Sequence, residues 1–250
     1  MEKLPKDLTD VSQLLTGRKS AAVGRRMFMR YLGTTAAAGV ALSACKDQIV
    51  DPTTTGSARA GFATVDLGDL GSNDVGILNY AYALEQLEAA FYIQAIATPY
   101  SGISSAERMI LTDIRDHEIV HREFFKAALG SAAIPGLTPD FSSIDFSSRA
   151  SVLGTARQFE DIGVSAYNGA GQFLKSADFL TIAGKIVSVE ARHAAIIATL
   201  LDPQGREFAG DRIIFPSNGL EEIRVPEEVL AIVGPYVKET INFKQVRRFA

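Results

Sequence analysis

At 250 residues, 47% hydrophobic and 22% charged, the chain has the apolar content of a packed core rather than of a disordered polymer. A formal net charge of −4 without a long basic block gives no electrostatic footprint for nucleic acid. A single cysteine excludes an intrachain disulfide framework and a cysteine-built zinc site, and the three histidines are few enough to place one by one.

The first features in chain order are addressing signals rather than fold. Arg25 and Arg26, with Phe28 two positions on, precede the weakly hydrophobic stretch Tyr31 to Ala44, which is too short to span a bilayer. Leu42-Ser43-Ala44-Cys45 closes it. The paired arginines resemble a twin-arginine export signal, with departures at Gly24 and Met29-Arg30, and the closing tetrapeptide resembles a bacterial lipobox. The expectation is an export signal over 1–44, lipidation at Cys45 and a membrane anchorage through that lipid, facing the periplasm of a bacterial cell envelope. Residues 1–44 hold seven of the 25 basic and three of the 29 acidic residues, so the remainder carries a net charge of −8. Such a chain is held at an anionic membrane by its tether, not by its charge. Residues 45–72, rich in Thr, Gly, Ser and Asp, read as a flexible spacer.

From Asn73 onward the apolar period is helical, without a convincing run of alternating strand type. A first helix is expected over about 74–96, capped by Asn73 or Asp74 and stopped before Pro99. A second, about 105–129, opens on the capping box Ser104-x-x-Glu107 and closes at Gly130. An 18-residue loop with two prolines follows, then helices over about 148–174 and 178–201 joined by a short turn. The loop is long enough to cross the length of a bundle, at roughly 3.3 Å per extended residue. Helix pair, long crossover, helix pair is the connectivity of ferritin-like bundles rather than of up-down bundles. Residues 73–202 therefore read as an all-α four-helix bundle, and 203–250 as a loop and a short helix beginning near Pro226.

The chemistry lies in how the two halves match. Glu85 is followed seven residues on by Tyr92, and Glu160 likewise by Tyr167. The second helix carries Glu118-x-x-His121, and the fourth Glu190-x-x-His193. Around Glu190 the same face reads Ala183, Ile186, Val187, Ala194, Ile197 and Leu201, a core-facing seam on which an unpaired carboxylate is costly. One Glu from each of two helices plus a Glu-x-x-His from each of the other two is the ligand set of di-iron and di-manganese carboxylate bundles. Two divalent cations would balance four carboxylates, and hard iron or manganese favours oxygen with some imidazole. Glu88 lies one turn from Glu85 and competes with it as ligand; the repeated spacing to tyrosine favours Glu85. His117 reads as a partly exposed surface residue, and Asp113 and Asp116 as solvent-facing. Gly163, Gly169 and Gly171 in the third helix imply either close approach or a local bulge.

The segments "LNYAYALEQLEAAFY", "DHEIVHREFF", "FEDIGVSAYNGA" and "VEARHAA" resemble the ferritin-like superfamily, closest to its exported ferritin-like or desiccation-related branch. The resemblance implies Glu85, Glu118, His121, Glu160, Glu190 and His193 as metal ligands, with Glu118 and Glu190 as bridging carboxylates. It places Tyr92 and Tyr167 within a turn or two of the metals, and Glu88, one turn from Glu85, is a further candidate neighbour of the ligands. The expected cofactor is two divalent ions, iron first and manganese second, and the expected partner a small oxidant. This branch has no single agreed activity. The expected function is an exported di-metal protein acting on dioxygen or peroxide; the alternative is a non-catalytic, stress-protective or partner-binding lipoprotein. A homodimer is compatible with the sequence.

Overall fold

The computed structural model describes residues 62–244 except 72, 206, 211 and 212; the expected export signal and Cys45 lie outside the described residues. Five α-helices, two short strands and three single-turn 3-10 segments make up the described chain. The strand β1 (Thr64–Asp69) precedes the bundle helices α1 (Asp74–Ala97), α2 (Ser105–Leu129), α3 (Arg149–Gly171) and α4 (Ala177–Leu201). The short helix α5 (Pro226–Val233) and the strand β2 (Thr240–Lys244) complete the order. No helix among the described residues is long and apolar enough to cross a membrane.

Each bundle helix starts where a side chain can satisfy its free amides. Asn73 accepts from the Gly76 amide, and Ser104 with Glu107 forms a complete capping box. Ser148 and Ser176 cap α3 and α4. The helix directions follow from two polar joints. At one end the Asp74 carboxylate accepts from the backbone amides of Lys175 and Ser176, so the start of α1 meets the α3–α4 turn. At the other, Arg149 donates to Glu107 and to the carbonyl of Leu200, bringing together the starts of α2 and α3 and the end of α4. Helices α1 and α4 therefore run one way, α2 and α3 the other, as a ferritin-like bundle requires.

The crossover between α2 and α3 lies along α1. Asn79 donates to the carbonyl of Ala132 and accepts from Ile134, both at 2.9 Å. Two turns on, Gln86 accepts from the Leu137 amide at 2.8 Å. Phe91 then packs on Phe141 and Phe146, with ring centroids 6.0 and 5.8 Å apart. Buried Asn79 and Gln86 thus satisfy the backbone of a long loop that would otherwise lie unpaired against apolar surface. Covered on this side too, α1 is buried along most of its length.

Two expectations are corrected here. Part of the expected spacer 45–72 is a strand: Val65 and Leu67 are buried, and β1 pairs in parallel with β2, Thr64 opposite Thr240 and Val65 opposite Ile241. Its alternation is only two apolar residues long and breaks at Gly68, whose φ of +87° sits at the irregularity in register between Asp66 and Asp69. The expected strand-free tail likewise contains β2, in which Ile241 and Phe243 are half-buried. The tail also closes on α3. The Arg224 amide donates to the carbonyl of Ser165 at 3.0 Å and its guanidinium to the Ser165 hydroxyl at 2.7 Å. A Cβ on Gly169 would collide with the Arg224 backbone, so that glycine permits the approach.

Candidate metal centre

On α2 the buried residues are Leu111, Ile114, Glu118, His121, Phe125 and Leu129, and on α4 Ile186, Glu190, His193, Ala194, Ile197 and Ala198. These are core stripes at three- and four-residue steps, with a Glu-x-x-His pair in the middle of each. Facing them, Glu85 on α1 and Glu160 on α3 project from equally buried stretches. All four carboxylates are fully buried, His121 is 9% exposed and His193 is 4% exposed.

The structure brings the six residues together as two groups. Glu85, Glu118, His121 and Glu190 form one; Glu118, Glu160, Glu190 and His193 form the other. In each, the donor atoms lie within 4.8 Å of one another, close enough to surround one ion. Glu118 and Glu190 are shared, which is the arrangement of two carboxylates lying between adjacent cation positions.

The polar partners within the cluster follow a pattern. Tyr92 donates to Glu160 Oε1 at 2.5 Å, and Tyr167 donates to Glu85 Oε1. Each tyrosine thus serves the glutamate of the opposite helix, not the one seven residues before it. Glu85 Oε2, Glu160 Oε2 and both oxygens of Glu118 and Glu190 make no hydrogen bond, nor do the Nδ1 atoms of His121 and His193. These Nδ1 atoms approach carboxylates, His121 at 2.9 Å from Glu190 Oε1 and His193 at 2.8 Å from Glu118 Oε1, yet without the alignment of a hydrogen bond. Six oxygens and two imidazole nitrogens, buried, convergent and without hydrogen-bond partners, are a donor set that metal ions fit.

Electrostatics without metal show the tension such a set stores. Burial drives the acid of Glu190 well above the carboxylate range, and the charge of Glu118 adds to it. Burial likewise raises Glu85 to about 7 against the opposing pull of the nearby His121 imidazole, and raises Glu160. For Glu118 burial pushes upward, but His121 and His193 outweigh it and hold the acid at about 2. Burial would discharge both imidazoles; instead the surrounding carboxylates raise His121 to about 12 and His193 to about 10. Protons thus occupy the cluster where cations otherwise would. Tyr92 and Tyr167 are held well above their ordinary value by burial and by Glu160 and Glu85 respectively, and so remain donors.

The other residues singled out by the sequence find their places. Glu88 belongs to neither group; it is a fifth buried carboxylate, 4% exposed, with Oε2 unpartnered. A Cβ on Gly163 would stand 3.0 Å from Glu88 Oε1, so this glycine makes room for the acid rather than for a bulge. Asp113 and Asp116 are exposed, and Asp116 pairs with Arg115 at 2.7 Å. His117 is exposed as expected, but its Nδ1 lies 2.9 Å from Nε2 of His193 with the two rings near-parallel at 10°. Sequence reasoning missed this pairing; the available signal was that His117 lies one turn before His121, on the flank of the inward stripe.

Residues 73–203, more than half of the chain, match the model of the ferritin-like domain family. No curated protein matches the chain. With the bundle connectivity and the buried carboxylate–imidazole cluster in view, the chain belongs to the ferritin-like domain family.

Proposed function

We propose that this chain is an exported, lipid-anchored di-metal carboxylate protein whose buried centre reacts with dioxygen or peroxide. The observation that carries the reading is the set of eight buried donor atoms without hydrogen-bond partners, divided into two groups that share Glu118 and Glu190. Glu85 and His121 would complete one position, Glu160 and His193 the other. When bound, two divalent ions, iron first and manganese second, supply the redox electrons for reducing the oxidant.

The chain's own residues do the rest. Tyr92 and Tyr167 hold one oxygen of Glu160 and Glu85 and leave the other free to ligate. Glu118 and Glu190, without such restraint, are free to change which oxygen they offer. The apolar stripes of α1 to α4 keep bulk water from the cluster and lower its dielectric. The sequence features at Arg25, Arg26 and Cys45 support export and anchorage, and export in the folded state would load the metal before it met competing copper and zinc outside.

The test is metal content by mass spectrometry on the chain purified without added metal, followed by anaerobic Fe(II) titration of wild type and the Glu118→Ala/Glu190→Ala double variant. Two metals per chain, lost in the double variant, with Fe(II) oxidised on admitting oxygen or peroxide, is the expected result. Binding without oxidation would leave a structural metal and a non-catalytic lipoprotein. Absence of saturable binding in the wild type would sink the metal reading altogether.

A further inference from the structure

We propose that His117 is a positioning residue for His193 and that it makes the two metal positions unequal. The inference rests on the metal-centre reading above. A neutral imidazole carries one proton, so a ring that offers its Nδ1 lone pair to a cation must carry that proton on Nε2. His193 Nδ1 faces the cluster, 2.8 Å from Glu118 Oε1 and 3.5 Å from Glu160 Oε2. Its Nε2–H is therefore a nearly buried donor that needs an acceptor.

That acceptor is Nδ1 of His117, at 2.9 Å. Accepting there places the His117 proton on its own Nε2, and the residue is exposed, so water can satisfy it. The hydrogen bond fixes the tautomer and the tilt of His193 and leaves Nδ1 for metal, the office usually held by a carboxylate or a backbone carbonyl. Among the described residues His121 has no such bond from its Nε2, although the rest of its surroundings mirror those of His193. The position completed by Glu160 and His193 is thus braced from outside, and the position completed by Glu85 and His121 is not.

The test uses the whole chain and Co(II) alone, titrated anaerobically and followed by its visible absorption. Wild type should bind two Co(II) in distinguishable steps. His117→Phe keeps an aromatic ring beside His193 but removes the acceptor, and should weaken one step by roughly tenfold to a hundredfold while sparing the other. His117→Asn carries an oxygen where Nδ1 stood and should restore that step, a rescue that a merely structural contact would not give. The inference is overturned if His117→Phe leaves both steps unchanged or weakens both equally, or if His117→Asn behaves like His117→Phe. A wild type that binds no Co(II) overturns instead the metal-centre reading, and the inference falls with it.

Discussion

Replacing Glu88 with Gln isolates what one buried acid costs this fold. Glu88 is 4% exposed, its Oε2 lacks a partner, and Gly163 leaves just enough room for its carboxyl. Burial first, then the charges of Glu190, Glu118, Glu160 and Glu85, raise its acid well above the ordinary 4.5. An acid raised in the fold keeps its proton there while the unfolded chain ionises from its ordinary value upward. Its stabilising contribution is therefore complete below that value and is lost as pH rises towards the folded one. The loss for one full proton is about 1.4 kcal/mol per pH unit. Glutamine has the same shape and no titration, so Glu88→Gln should flatten the decline by that amount. The assay is urea unfolding of metal-free wild type and variant at about pH 5 and about pH 6, a window inside the shifted range. Wild type should lose about 1.4 kcal/mol more than the variant across that step. The comparison uses the slope, because an unsatisfied amide would shift both pH points alike. Parallel pH dependence of the two proteins would refute the reasoning, since it would mean that Glu88 is ionised in the fold.

Gly169→Ala should destabilise the chain by about 2–4 kcal/mol in urea unfolding, because the new Cβ meets the rigid Arg224 backbone and lifts the tail from Ser165 and Asn168. A change within about 0.5 kcal/mol would show that the tail yields without losing those bonds. Tyr92→Phe strips Glu160 of the donor that holds its Oε1, and should lower Co(II) affinity by roughly tenfold to a hundredfold in calorimetric titration. Equal affinity would mean that the tyrosine does not orient that glutamate.

How much of this was legible in the sequence depended on how local each signal was. The capping box at Ser104 and Glu107 and the proline opening α5 act within one turn, and both helices begin where those residues place them. The Glu-x-x-His pairs were legible because they interrupt apolar stripes, and a carboxylate on a core seam demands an account. The pairing of β1 with β2 was not, since each strand carries only two inward apolar residues and its partner is far away in the chain. Nor was the crossing of the tyrosines. The seven-residue spacing places Glu85 and Tyr92 on one face, but only the antiparallel run of α1 and α3 sends each hydroxyl to the other helix. His117 escaped because its role depends on which nitrogen of His193, on another helix, is turned outward.

The sharing of donor atoms across the bundle bears on how the molecule assembles. The hairpin of α1 and α2 holds Glu85, Glu118 and His121 but lacks Glu190; the hairpin of α3 and α4 holds Glu160, Glu190 and His193 but lacks Glu118. Neither hairpin alone owns a finished set, so neither could capture an ion tightly while still separate. On the proposed reading, tight capture waits until the two hairpins have docked, and the captured ions then latch them together, resisting any breathing motion that parts one hairpin from the other.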